Sequence, residues 1–550
     1  MTMANNLLHL PHEVLHSIIA NTDPQDLAAL CCCRALNDFI KNNHLLHKEM
    51  YLKTFDSLSQ KDNTVWGPEL RKLVNVQKIL ESSDDALKLS QLQTVAVSIQ
   101  DLLTNAPMDP RTSLNLPFLT NLFEQRQNVN TFLCSSSLFE WARAELWGDL
   151  STTRQRRDLA AMLTEQKFPR SLRNHSTLNS LDSETVADPI PEQPELGDLL
   201  AYVSRTGDTG SIPVPVPAEA HAASPTSALQ RPQPYDRQLS AKLHCLYGVS
   251  IGTVRKTCES SPPRYSLRND TAEIHPYARS RVYDLRQHTE NGTFWGPFLD
   301  DGLGTVDWEK LEAIMIILDY NLRRSTEVHR QYEGMLELQE NPWVGATPHS
   351  FISPPQSVPM EPPLPLEAQD PYSVTGTWMR VVCFLDYTAL YDFNFGDDQP
   401  ERDHLREPID TEEATRLITM KIHVTKIQAP GEDDGQQLPV VHFQGKSSSI
   451  RPSWDPNANS KIKGTVRLTP QGEVRWTTFS VFQGEERWRS EGIQIGGVRS
   501  ARGVLGFWFD KDFDEHGPAG PTAFWKSHDG IEAKKPSNTH GWNQFTVPSY

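Results

Sequence analysis

Apolar positions recur at helical spacing through the first part of the chain and at alternate positions through its last third. Near the N-terminus Val14, Leu15, Ile18 and Ile19 form one apolar stripe, and Pro11 stands in a first turn, where its missing N–H costs nothing. Asp23-Pro24-Gln25-Asp26 is a second helix start: Asp23 caps, Pro24 takes the first helical position, and Asp26 meets the positive end of the dipole. Leu27, Leu30 and Cys31 continue that apolar face, and Leu36, Phe39 and Ile40 form a third stripe. The spacing predicts three short helices within 7–51. Further helical periodicity appears at 92–103 and 132–150. In 308–322 Leu311, Ile314, Met315, Leu318 and Leu322 define one face, with Asp307 as cap.

From about 372 the period changes to two. Candidate strands are 376–385, 388–395, 417–427, 440–445, 462–468, 474–482, 486–495, 502–509 and 522–526, with Pro470-Gln471-Gly472 and Gln483-Gly484 as hairpin turns. Eight or nine strands at near-regular spacing fit a closed barrel or a sandwich. Two Pro-rich stretches, 174–233 and 342–371, read as flexible or polyproline-type linkers. The expected organisation is an N-terminal helical unit at 7–51, a helical linker domain at 52–173, and a Pro-rich segment at 174–233. A mixed helical segment at 234–341, a Pro-rich linker at 342–371 and a β-domain at 372–530 follow.

Composition narrows the function. The chain has 550 residues and a net charge of −17, which repels phosphate backbones and argues against bulk nucleic-acid binding. Its seven cysteines include three in succession, Cys31, Cys32 and Cys33, and no CxxC pair, a usage that suits a reducing compartment. No secretory leader or membrane-length apolar run is legible, so cytoplasm or nucleus is expected, with no membrane partner. Asn174, Asn269 and Asn291 sit in glycosylation-type sequons, which arise by chance at this length.

The residues Leu10-Pro11-His12-Glu13-Val14-Leu15-His16-Ser17-Ile18-Ile19, then Asp23 to Leu27, then Leu30, Arg34, Phe39 and Ile40, resemble the F-box. Where that family often places a Trp in its third helix this chain has Leu36, and its late Leu-Trp pair is Leu45-Leu46 here. The resemblance implies docking to a Skp-type adaptor, and through it a cullin, with Leu10, Pro11, Val14, Leu15, Ile18, Leu27 and Leu30 as the adaptor-binding residues. Physically, so short a helical unit buries little core alone and retains apolar surface for a partner helix. The same stretch spells His12-Glu13-x-x-His16, the zincin pattern, with Glu49 as a distant third ligand. The flanking Leu10-Pro11 and Ile18-Ile19 fit the F-box frame instead.

Gly376-Thr377-Trp378 resembles the G-x-W that opens lipocalin-like barrels, where the Trp plugs the floor beneath an Arg from a late strand; Arg489, Arg499 and Arg502 are the candidates for that Arg. Blocks 278–286, 295–298, 454–460, 484–488, 499–506, 510–514 and 517–525 resemble large fungal F-box proteins, and more loosely the β-barrel substrate domain of a metazoan F-box receptor. Arg487, Arg499 and Arg502, with Trp488 and Trp508, are candidate substrate-binding residues, a guanidinium set suited to a carboxylate, a phosphorylated motif or a chain terminus. The plainer reading pairs these arginines and Arg489 with Glu485, Glu486, Glu491 and Asp510 on solvated strands. Asp510 to Asp514 alternates acids like a calcium loop but lacks the Gly and distal Glu, which leaves an acidic turn. No P-loop, nucleophile elbow or complete dinucleotide motif occurs.

The sequence therefore predicts an α+β chain: an N-terminal three-helix F-box, a helical middle region, and a C-terminal antiparallel, lipocalin-like barrel. The expected role is a non-catalytic substrate receptor of a Skp–cullin–F-box ubiquitin ligase, with no cofactor or metal and an unnamed protein target. The alternatives are a lipocalin-like small-molecule binder and an F-box scaffold outside the ligase.

Overall fold

The computed structural model describes residues 10–31, 33–58, 65–106, 112–125, 128–146, 234–248, 251–254, 264–267, 274–330, 365–396, 406–450 and 459–530. The stretch 174–233, residues 342–364, Cys32, Cys258 and most of the 454–460 block lie outside them. The chain is α+β, with helices to the N-terminal side of a closed eight-stranded antiparallel barrel.

The first helix, α1 (His12–Ala20), buries Leu15, Ile19 and Ala20. A 3-10 turn at Pro24–Asp26 is capped by Asp23, which accepts from Gln25 N at 2.8 Å, and runs into α2 (Leu27–Leu30). Helix α3 (Arg34–Lys41) buries Leu36 and Ile40. The expected three helices are joined by a fourth, α4 (His44–Thr54), which closes the unit against α1. Its buried positions are Leu46, His47, Met50 and Tyr51, a mixture of apolar and polar types that leaves no clean stripe in the sequence. Packing continues without a break into α5 (Trp66–Glu81). Gln25 of the 3-10 turn donates to Glu81 at 3.1 Å, and the Tyr51 and Trp66 rings meet edge to face.

Helices α6 (Asp85–Ser90), α7 (Leu92–Thr104), α8 (Asn115–Gln125) and α9 (Ser137–Leu146) follow. Asp56 fixes the start of α8: its carboxylate accepts from Ser113 Oγ at 2.6 Å and Leu114 N at 2.8 Å, while Asp56 N donates to Asn115 Oδ1 at 3.0 Å. The helix expected over 132–150 is instead interrupted: a π-turn at Val129–Leu133 precedes α9, because Cys134 breaks the dihedral pattern between them. Helix α10 (Pro234–Tyr247) is followed by a short hairpin, β1 (Ile251–Val254) with β2 (Arg264–Leu267), inside a segment expected to be helical. Next come α11 (His275–Tyr283) and α12 (Trp308–Arg330).

Helix α12 departs from the one-sided amphipathic reading. Leu311 and Ala313–Leu318 are buried all round it, and so are Glu309, Lys310, Glu312 and Asp319. A helix covered on every side belongs to a core. Here α10 and α11 pack on one side, and the barrel wall packs on the other.

After a short turn of helix, α13 (Pro365–Ala368), the barrel strands are β3 (Gly376–Phe384), β4 (Ala414–Gln428), β5 (Val440–Ser449), β6 (Asn459–Leu468), β7 (Val474–Phe482), β8 (Glu485–Gln494), β9 (Val504–Asp510) and β10 (Gly520–His528). Each pairs with the next, and β10 closes on β3. Gln483 and Gly484 both take positive φ, 53° and 96°, the geometry of a two-residue hairpin whose twist matches its strands. The ninth expected strand, 388–395, is a helix, α14 (Tyr387–Phe395). Asp386 caps it by accepting from Thr388 N at 2.9 Å, and its buried residues Leu390 and Asn394 are four apart, not two. Asn394 is tied to the middle region, accepting from Leu285 N at 2.9 Å and donating to Tyr283 O at 3.1 Å, so tertiary contacts override the aromatic strand-like composition.

Candidate functional site

Two surfaces collect the residues singled out by sequence. The first is the outer face of α1. Pro11, Val14 and Ile18 recur at helical spacing and point outward; Val14 is 44% and Ile18 41% exposed. Leu10, Leu27 and Leu30 are half-buried beside this unit's core. Leu15 is a correction: it is 5% exposed and belongs to the unit's own interior, because position 15 lies on the side of α1 that meets α4. Leu45 on α4 is also strongly exposed, whereas Leu46 is fully buried.

The zincin-like histidines are otherwise engaged. His16 binds Glu49 at 2.9 Å through Nε2 and Asn43 at 3.2 Å through Nδ1, which pins α1 to α4. His12 lies edge-on to Phe39. Among the described residues no group of three or more His, Cys, Asp or Glu side chains is arranged to hold a metal ion.

The second surface is one end of the barrel. Strand alternation puts Trp378, Met420, Phe443, Val466, Trp476, Val504 and Phe524 inside, in one apolar cluster at the end where β3 begins. Trp378 meets Trp476 and Phe524 edge to face and donates from Nε1 to Val374 O at 2.9 Å. Asp370 accepts from Tyr372 N at 2.9 Å and Val374 N at 2.6 Å, folding that segment across the floor. Arg499 belongs to this end: its Nε donates to Pro371 O at 2.8 Å. Arg502 is fully buried and donates to Tyr247 O and Gly248 O, the C-terminal carbonyls of α10. Gly248 has a φ of 66°, and any Cβ there would collide with the Arg502 guanidinium. Arg502 therefore caps a helix, and burial pushes its pKa well down. Arg502 is thereby committed to the fold, while Arg499 is exposed at this floor end. Arg489 does not serve as the floor arginine either: it bonds Glu491 at 2.5 Å and faces Phe513 on the outer wall.

Glu491 is the main charge centre of that outer wall. It is fully buried and also accepts from Arg475 Nε at 2.9 Å and Thr477 Oγ1 at 3.0 Å. Burial raises its pKa, but the two guanidinium groups outweigh it and hold the carboxyl below its usual range. Arg475 lies over Phe294 and Phe298 of the segment between α11 and α12, which covers the wall here. Arg489 and Glu491 are structural partners as in the plainer reading, but Glu491 is buried, not on a solvated strand.

Three of the five proposed substrate residues remain together at the opposite end, where β3 finishes and the β7–β8 and β9–β10 connections lie. Trp488 and Trp508 meet edge to face at 5.5 Å, and Phe384 packs edge-on to Trp508 at 6.3 Å. Arg487 lies over Trp488 at 4.8 Å, and Arg416 over Phe384 at 5.5 Å. Trp508 itself is buried, donating to Cys383 O at 3.0 Å. Helix α14 adds exposed Tyr387 and Tyr391 to the rim, and Phe395 stacks on His516 at 4.6 Å. The acidic turn 510–514 closes locally, with Asp512 N donating to Asp510 Oδ1 at 2.9 Å.

The residue that the sequence reading missed is Arg380, below this collar. It lies two positions after Trp378 on β3 and so faces the lumen; Arg on the Trp face of a strand was the available signal. Burial pushes its pKa down to about 10.

An F-box-like family model matches residues 7–53. No curated protein and no solved structure matches the chain.

Proposed function

We propose that this chain is the substrate-receptor subunit of a Skp–cullin–F-box type ubiquitin ligase. Its F-box-like domain would dock a Skp-type adaptor through Pro11, Val14 and Ile18, and its barrel would present a protein target at the end lined by Phe384, Trp488 and Trp508. The observation that carries the reading is the F-box-like match at 7–53 coinciding with an apolar stripe on α1 that the described residues leave partly exposed. Aromatic residues at the barrel rim support target capture there, because large rigid rings bury area at low entropic cost.

In this role the chain performs no chemistry. It raises the concentration of a bound target beside the transfer machinery, an effective-molarity effect. The reading places the protein in cytoplasm or nucleus, with the fungal-type architecture and segment boundaries given above. Cys245 and Cys383 as buried free thiols fit such a compartment.

The test is affinity purification of the full chain and of a variant lacking residues 1–50. Adaptor and cullin should co-purify with the full chain and vanish from the deletion, while targets held by the barrel remain. Unchanged adaptor recovery would overturn the assignment.

A further inference from the structure

The barrel lumen holds a cation with no counter-charge. Arg380 is 6% exposed, and its guanidinium reaches both the neighbouring strand β10 and β8, which does not adjoin β3. Nε donates to Thr522 Oγ1 on β10 at 3.0 Å, and Nη2 to Ser490 Oγ on β8 at 3.4 Å. Thr522 in turn donates to Val381 O, and Ser490 shares a 2.6 Å bond with Thr478. Among the described residues Nη1 has no acceptor, and no carboxylate acts on this group.

Other arginines within the fold have an acid or carbonyls beside them. Arg279 has Glu413, Arg406 has Asp284, the partly buried Arg475 and Arg489 share Glu491, and Arg502 has the C-terminal carbonyls of a helix. An isolated buried guanidinium is costly unless something anionic pairs with it. The strand register places an apolar collar next to it. Ser490 pairs with Trp508, and Trp488 is the next inward position on β8. Phe384 is two inward positions beyond Arg380 on β3.

We propose that the lumen around Arg380 binds a carboxylate carried on an apolar stem. One guanidinium balances one negative charge and offers two parallel N–H groups to a carboxylate's two oxygens. With a single cation and otherwise neutral hydroxyls, a phosphate dianion would be only half neutralised. The collar of Phe384, Trp488 and Trp508 selects the stem. Arg416 and Arg487 stand on rim rings beside Glu485, Glu486 and Asp510, so the rim carries both signs and the buried Arg380 supplies the charge selection. This site stands independently of the ligase assignment.

The experiment uses the full chain, tryptophan fluorescence and thermal melting. The probes are 4-phenylbutyrate against 4-phenylbutanol, inorganic phosphate, and an amide-capped peptide of two phenylalanines around one glutamate against its glutamine twin. The two acids should bind saturably and raise the melting temperature, while phosphate and the neutral partners should not; which acid binds more tightly separates a small-molecule ligand from a peptide one. Arg380→Met should weaken acid binding by about tenfold or more, the scale of a lost charged hydrogen bond. Ser490→Ala, a milder change, should weaken it severalfold and serves if the first variant does not fold. Adaptor recovery should be unchanged in both. The proposal is overturned if neither acid binds, if neutral partners bind equally, or if folded variants bind as the wild type does.

Discussion

The sharpest consequence of the α1 geometry is the double substitution Val14→Asp with Ile18→Asp. Both side chains are more than two-fifths exposed, so the folded chain alone should lose little, within about 0.5 kcal/mol per site. Binding is different. Full burial of such a side chain is worth about 1.5–3 kcal/mol, and somewhat over half of each is already covered by its own chain. An adaptor would therefore gain roughly 1 kcal/mol at each position. Each introduced carboxylate must also be desolvated against an apolar partner, at about 1–3 kcal/mol or more. The pair should cost at least about 4 kcal/mol, close to a thousandfold in Kd. Calorimetric titration of purified Skp-type adaptor into wild type and variant measures this directly, with thermal melting as the control. Leu15→Asp is the contrasting case: at 5% exposure it should unfold the N-terminal unit. Adaptor affinity retained within about threefold by a stably folded double variant would refute the reasoning, since a tenfold change corresponds to only 1.4 kcal/mol.

Glu491→Gln should lower stability by about 3 kcal/mol, because it strips the counter-charge from Arg475 and Arg489; urea denaturation measures it. The Glu491 pKa is depressed on folding, so its contribution is present above the unfolded carboxylate value and lost as pH falls through the lower folded one; acid melts of the variant should lack that component. Lys310 gives a slope of the same sign in a higher pH window. Burial brings it to about 7, with Nζ 2.9 Å from His288 Nε2, so between pH 7 and the ordinary lysine value the unfolded chain binds more protons and stability should rise with pH. Lys310→Met should flatten that rise and melt higher than wild type below pH 7. Trp378→Ala should destabilise by about 3–5 kcal/mol in denaturant melts, since it empties the barrel floor against Trp476 and Phe524.

The elements readable from sequence were those whose burial follows a single period. Strands such as β7, with Val474, Trp476 and Thr478 inward at alternate positions, announce themselves, and so do the turns with Gly472 and Gly484 at positive φ. Helix α14 was read as a strand because Tyr387, Leu390, Tyr391 and Phe395 have strand-like composition; its helicity rests on the Asp386 cap and on Asn394 reaching the backbone of Tyr283 and Leu285. The substrate set divided for a similar reason. Arg487, Trp488, Arg499, Arg502 and Trp508 lie close in sequence, but they straddle the β8–β9 connection, which sends Arg499 and Arg502 to the opposite end of the barrel from Trp488 and Trp508. Leu15 was misplaced by one helical face: a stripe of Val14, Leu15, Ile18 and Ile19 is wide enough to serve both an interior and a partner, and sequence alone does not divide it.

The polar contacts around α12 bear on how the two surfaces could work together. An apolar helix in an apolar sleeve can slide or rotate at modest cost, whereas a buried polar group must keep its partner. From its start to Asn321, α12 is fixed to three neighbours in turn. Asp307 at its start accepts from Gln238 on α10 at 3.0 Å, and Glu309 accepts from Ser137 N of α9 at 2.5 Å. Glu312 meets His244 of α10 at 2.6 Å, and Asn321 donates to Glu413, beside β4, at 2.8 Å. Glu413 itself gathers Tyr283, His275 and Arg279 of α11. The same helix therefore reads its register against the helical region along one side and against the barrel along the other. The helices that carry the F-box-like domain pack onward through α5, α7 and α10 to reach it. In the proposed receptor role, the gain in effective concentration depends on the two binding surfaces keeping a fixed span and orientation, and it falls away if the link between them is loose. Buried polar contacts are poor sources of net stability but good sources of a single orientation, and this chain places several of them on a helix that touches both sides.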